Sequence, residues 1–122
     1  MRRLLIAVKS RALVDALTRE VSSQFKIHSC STGTDVSYLI EDLQPDALVI
    51  DLRLPRHAGF AVLESCTYRP PIMIALSEFI DNDVIRQAKS AGIAVLIRIP
   101  CTARCVAGHL QRLTAKTPTP EL

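Results

Sequence analysis

The sequence predicts an α/β domain in which five parallel strands form one sheet with helices on both faces. Three observations predict it. Short apolar runs alternate five times with stretches whose apolar residues recur at helical spacing. The connections between them are short, which suits strand–helix–strand crossovers of right-handed sense. The runs 48–50 (LVI) and 72–74 (IMI) are apolar without alternation, as strands covered on both faces are.

Residues 4–8 form the first strand. Ser10 caps a first helix over 11–22, with Leu13, Val14, Leu17 and Val21 on one face. The second strand is 25–28. A second helix opens at 32–34, carries Val36, Leu39, Ile40 and Leu43 as a single stripe, and is stopped by Gln44-Pro45. The third strand is 47–51. A short helix over 58–66 buries Phe60, Val62 and Leu63, and the Arg69-Pro70-Pro71 loop leads to a fourth strand at 72–76. The fourth helix, 81–91, turns Val84, Ile85, Ala88 and Ala91 inward and stops at Gly92. The fifth strand is 95–99. Thr102 caps a last helix running to 113, with Val106, Leu110 and Leu113 inward. Gly108 inside it costs about 1 kcal/mol relative to alanine, so close packing or a fray is expected there. The tail 114–122, TAKTPTPEL, loses periodicity and reads as a linker or frayed end, of the kind that leads to an output domain outside this chain. The expected division is therefore one domain over 1–113 and a tail over 114–122.

The totals agree with one domain. The chain has 122 residues, and 48% hydrophobic content excludes disorder for most of it. No apolar run approaches the roughly 20 residues that cross a bilayer. The start, MRRLLIAVKS, lacks the long apolar region and cleavage site of a signal peptide, so a cytoplasmic location is expected. Cys30, Cys66, Cys101 and Cys105 lack a zinc spacing and read as reduced thiols. A net charge of +3 without basic–aromatic clusters gives no sign of nucleic-acid binding.

Ligands in open parallel sheets collect at strand carboxyl ends. The residues placed there are Val8, Lys9 and Ser10; Asp51 to Arg53; Leu76 and Ser77; and Arg98, Ile99 and Pro100. Asp51 is the single acid among them. His57 reads as a loop residue, and His28 and His109 lack a second ligand at metal spacing. No serine, histidine and aspartate are placed as a triad, and no enzymatic activity is expected.

The stretch 48–64, LVIDLRLPRHAGFAVLE, resembles the phosphoacceptor segment of bacterial two-component response-regulator receiver domains: an aspartate, a proline four on (Pro55), a glycine four further (Gly59). Residues 71–102 resemble the family's fourth strand, fourth helix, alanine–glycine corner and fifth strand, and the likeness spans 3–113. It implies a flavodoxin-like (βα)5 three-layer sandwich with strand order 2-1-3-4-5, and it puts Asp51 at the phosphoacceptor position. It also implies a histidine kinase or an output domain as protein partner. Homodimerisation would run through the fourth helix, fifth strand and fifth helix, with Arg86, Lys89, Leu96, Arg104 and His109 as candidates on the outer side. Transcriptional control would belong to an output domain, and no direct contact with nucleic acid or membrane is implied.

The departures point to a degenerate, pseudo-receiver form. Where the family has a magnesium-binding acidic pair, this chain has Val8 and Lys9. Where it has threonine or serine, Leu76 stands, with Ser77 one residue late. Where it has lysine before the proline, Ile99 stands, with Arg98 one residue early. The aromatic switch position is Leu96, so one locked conformation is expected. Mg²⁺ needs oxygen ligands, generally including one or two carboxylates, and Lys9 would repel it. No cofactor is therefore expected, although the family uses Mg²⁺. Lys9 is expected to pair with Asp51 in the metal's place, with Arg53 and Arg56 directed into water. Two other readings are a receiver that accepts phosphate from a histidine kinase on Asp51, and a flavodoxin-like binder taking an anion between Lys9 and Arg98. No glycine-rich loop follows the first strand, which argues against a nucleotide.

Overall fold

A computed structural model of the chain describes residues 1–54 and 59–116. The elements alternate as β1 (Arg2–Ala7), α1 (Arg11–Val21), β2 (Phe25–Cys30), α2 (Gly33–Leu43), β3 (Ala47–Asp51), α3 (Gly59–Glu64), β4 (Ile72–Ser77), α4 (Asn82–Ala91), β5 (Val95–Arg98) and α5 (Ala103–Lys116). The strands form one parallel sheet in the order β2-β1-β3-β4-β5. This is the flavodoxin-like order that the resemblance implied.

Local chemistry sets the helix ends. The hydroxyls of Ser10, Thr32 and Thr102 and the carboxylate of Asp81 accept the amides of Leu13, Asp35, Cys105 and Val84, so each start has one of its orphan donors satisfied. Gly92 ends α4 at φ 90°, a conformation that disfavours any side chain, and a Cβ there would stand 3.0 Å from Met73 Cε.

Strand alternation divides the core into two layers. Leu4, Ile6, Ala47, Val49, Ile72, Ile74 and Leu76 face α1 and α5, where Val14, Leu17, Val106 and Leu110 cover them. Leu5, Ala7, Leu48, Ile50, Met73 and Ala75 face α2, α3 and α4, under Val36, Ile40, Phe60, Leu63 and Ala88. Each fully buried aliphatic side chain contributes about 1.5–3 kcal/mol. Every residue of β3 is buried, so its last residue is delivered to the middle of the sheet end with little freedom.

Three expectations need correction. Ile85 is 39% exposed: the inward stripe of α4 is Val84, Ala88 and Ala91, and Ile85 lies on its flank. Gly108 is neither closely packed nor a fray, because α5 runs through it and a Cβ there would meet nothing within 4 Å. Helix α5 also continues through Thr114 to Lys116, three residues assigned to the tail. Thr114 is held by its own hydroxyl on the Leu110 carbonyl (2.7 Å) and by Arg2 Nη1 donating to its carbonyl (3.3 Å). The rest of the tail lies outside the described residues. Among the described residues no helix is long and apolar enough to cross a membrane.

Candidate functional site

Asp51 closes β3 between the ends of β1 and β4, opposite Leu76. It shares a face with Ala47 and Val49, and none of its surface is exposed. A carboxylate in that position must be satisfied internally, and this one is. Oδ1 accepts the Arg53 amide (2.9 Å) and Arg53 Nε (3.0 Å). Oδ2 accepts the Lys9 amide (3.1 Å) and Arg53 Nη2 (2.9 Å). Two bonds reach each oxygen, which fills the roughly four acceptor sites of a carboxylate. The guanidinium meets it as a two-pronged fork, the strongest form of this pair.

The chain folds this way because the residues after β3 turn back at once. The Leu54 amide donates to the Asp51 carbonyl (3.2 Å), and the Arg53 amide donates to the Asp51 side chain. An aspartate that takes the amide two residues on makes an Asx turn. An arginine at that second position then has the reach to curl over the carboxylate. Arg53 Nη1 also stands 4.0 Å from Glu78 Oε2, so the guanidinium lies between two acids.

The titration of the pair follows from this geometry. Burial by itself drives the Asp51 carboxyl upward. The Arg53 side-chain bonds, the two backbone amides and the Arg53 charge outweigh it and hold the group below the ordinary aspartate value. The hydrogen bonds to Asp51 raise Arg53 in turn, against the effect of its own burial.

The cation on Asp51 is thus Arg53, and the expectation for Lys9 is overturned. Lys9 gives Asp51 its backbone amide; its side chain is exposed and makes no ion pair among the described residues. At the end of β1 only the main chain lies alongside β3, whereas Arg53 starts from the turn that Asp51 itself closes. The sequence signal was the Asp-X-Arg spacing, which can be read only once the turn is assumed. Arg56 and Pro55 fall outside the described residues, and Gly59 begins α3.

The remaining positions separate. Val8 is buried in the first core layer and brings no oxygen to the site. Leu76 is buried on the Asp51 face, where it adds to desolvation. Ser77 closes β4 but is occupied elsewhere: its hydroxyl donates to the Phe79 carbonyl (2.6 Å) and accepts the Phe79 amide (3.3 Å). Ile99 packs on the first layer, and the peptide bond to Pro100 is cis. Arg98 is exposed at the end of β5. Three strand spacings separate β1 from β5, about 14 Å at 4.8 Å each, and the cavity that Lys9 lines at the end of β1 does not include Arg98. Burial first, then the neighbouring Cys105 and the Asp51 charge, push the Cys101 thiol up, against the lowering effect of Arg53.

On α4, β5 and α5, Arg86 pairs with Asp83, Lys89 and Arg104 are exposed, and His109 Nδ1 lies 2.9 Å from Arg112 Nη2. Leu96, placed on the outer side by the sequence reading, is half-buried against the second core layer. Ile85 and Phe79 are exposed apolar side chains; helical spacing alone puts the first in the core, and no pattern in the sequence marks the second.

The donor set does not fit Mg²⁺. Val8 and Lys9 bring no carboxylate, the nearby Glu78 faces the Arg53 guanidinium at 4.0 Å, and both Asp51 oxygens are already saturated. Among the described residues no buried side-chain polar atom lacks a partner, so none waits for an ion.

No protein-family model matches the chain. Solved structures share its fold. A CheY-like response-regulator receiver domain protein from Methanospirillum hungatei superposes with TM-score 0.82 at 19% identity, over 95% of this chain and 96% of that one. A signal receiver domain described as that of a Luxo repressor from Vibrio parahaemolyticus gives 0.76 at 24% identity, over 94% of each chain. The receiver domain of a signal-transduction histidine kinase from Syntrophus aciditrophicus gives 0.77 at 19% identity, over 100% of this chain and 98% of that one.

Proposed function

We propose that the chain is a receiver-like signalling domain of the two-component type whose acid is permanently neutralised from within, and that it acts by protein–protein contact rather than by regulated phosphorylation. One observation carries the reading: the buried Asp51 carboxylate is filled by four hydrogen bonds, two of them from the Arg53 fork. Phosphoryl transfer to a carboxylate needs a free oxygen in line with the donor and a cation that spreads over the transferred group. Here the oxygens are engaged and the cation is spent on the carboxylate. Val8, Leu76 and Ile99 supply none of the polar groups that the family brings to the same place.

The partner in this reading is a histidine kinase or an output domain, met on the face of α4, β5 and α5, with no catalytic turnover and no direct contact with nucleic acid or membrane. The exposed Ile85 and the charged Arg86, Lys89 and Arg104 suit a protein contact with an apolar centre and a polar rim. A cytoplasmic site of action goes with it. The test is incubation with acetyl phosphate and Mg²⁺, followed by intact mass measurement. The expected result is an unchanged mass; stoichiometric addition of one phosphoryl group overturns the reading.

A second reading keeps Asp51 as a phosphoacceptor. It is favoured by the position of the acid at the end of the central strand, and by an Arg53 side chain that is 28% exposed and so has room to swing away. The same mass measurement decides between the two.

A further inference from the structure

We infer that the chain carries a separate ligand site at the carboxyl ends of β1 and β2, a cavity of about 460 Å³ that takes a small organic anion also bearing an amino or hydroxyl group. Its size falls in the range of small-molecule sites, roughly 300–1,000 Å³. It is lined by Lys9 at the end of β1, Arg11 at the start of α1, Ser29, Cys30 and Ser31 at the end of β2, and Asp35 in the first turn of α2.

The chemistry of the ligand follows from what each wall has left to give. Lys9 makes no ion pair among the described residues. Among the described residues Arg11 is engaged only by Asp15 at 3.3 Å, with both side chains mostly in water, a pairing worth little. The hydroxyls of Ser29 and Ser31 have no partner among the described residues. Two cations and two hydroxyls therefore remain to hold an oxyanion, carboxylate or phosphate alike. Asp35 opposes them as the one acid of the lining. A ligand that is only an anion meets its repulsion; one that also presents an ammonium or hydroxyl turns it into an acceptor. The half-buried Cys30 thiol, pushed up to about 12 by burial and then by Asp35, stays neutral and makes an apolar wall between the two ends.

This site is distinct from Asp51. Lys9 touches Asp51 through its backbone amide, so its side chain is free for the cavity. The inference stands whether or not Asp51 takes phosphate: binding is read at Lys9 and Asp35, phosphorylation in the mass.

The test is an amide NMR titration of the full chain with O-phospho-L-serine, L-glutamate and inorganic phosphate. Saturable shifts at Lys9, Ser29, Ser31 and Asp35 with either amino-acid probe, and weaker ones with inorganic phosphate, are expected. Whichever amino-acid probe binds tighter tells phosphate from carboxylate. Lys9→Gln weakens both at least about tenfold, a loss of about 1.4 kcal/mol. Asp35→Asn weakens the amino-acid probes and strengthens inorganic phosphate, whereas a diffuse surface attraction strengthens all three. Both substitutions are at exposed positions, and unchanged circular dichroism verifies the fold. The absence of saturable shifts, shifts that map elsewhere, or affinities indifferent to both substitutions would overturn the inference.

Discussion

Replacing Arg53 with glutamine removes the fork and leaves Asp51 buried with two backbone amides. The two lost bonds, at 3.0 and 2.9 Å, are charge-assisted, a class worth about 1.5–3 kcal/mol each. The guanidinium is 28% exposed, so water recovers part of that. A loss of about 2 kcal/mol at neutral pH follows. At about 4 °C per kcal/mol for a chain of this size, the melting temperature falls by about 8 °C. The pH dependence carries a second signature. In the parent, Asp51 lies below its ordinary value, so its contribution is complete above the unfolded pKa of about 3.9 and is lost as pH falls through the lower folded value. In Arg53→Gln the carboxyl loses the lowering effect of the fork and of the guanidinium charge, keeps only the two backbone amides against burial, and rises relative to the parent. The deficit against the parent is then greatest near neutrality and narrows towards about pH 4. Urea titrations followed at 222 nm over that range measure both effects. The double variant Asp51→Asn/Arg53→Gln recovers at least about 1 kcal/mol of the loss, because no charge is left buried. A stability for Arg53→Gln within about 0.5 kcal/mol of the parent at neutral pH, with the same pH slope, would refute the reasoning.

Other outcomes follow from the same structure. Lys9→Ala changes stability by less than about 0.5 kcal/mol in urea, since only its main chain serves Asp51; a loss like that of Arg53→Gln would restore the lysine pair. Gly108→Ala raises stability by about 0.5–1 kcal/mol, because the helix is regular there and a Cβ meets open space; thermal melts read it, and a loss would mean a neighbour closer than the structure places one. Iodoacetamide near pH 8 modifies the exposed Cys105 first and Cys30 last, since a thiol at about 12 is ionised only about once in ten thousand at that pH; peptide mapping gives the order, and early loss of Cys30 contradicts it.

How far the sequence could be read depended on how local the deciding physics was. The five strands and their helices are visible because burial on both faces forces unbroken apolar runs such as LVI at 48–50, and because Ser10, Thr32, Asp81 and Thr102 announce their helices. Asp51 stood out as the lone acid at a strand end. The partner of that acid did not. Proximity of strand ends favours Lys9, but a parallel neighbour offers its amide before its side chain, and the Asx turn that aims Arg53 is a property of the folded loop. Ile85 failed for a different reason: positions 84, 85, 88 and 91 all fit one helical stripe, and only the folded helix shows that 84, 88 and 91 pack on the second layer while 85 lies on the flank. Gly108 shows the converse, a residue whose cost is visible in sequence while the open space beside it is not. The β1–β2 cavity could not be anticipated, since Lys9, Ser31 and Asp35 become neighbours only when two strand ends and two helix starts converge.

The most direct measurement is a crystal structure grown with millimolar Mg²⁺ and read at the Asp51 carboxylate. The account predicts the Arg53 guanidinium on both oxygens, near 3.0 and 2.9 Å, with no metal between them. A six-coordinate ion on the Asp51 carboxylate, with Arg53 turned away, would contradict it.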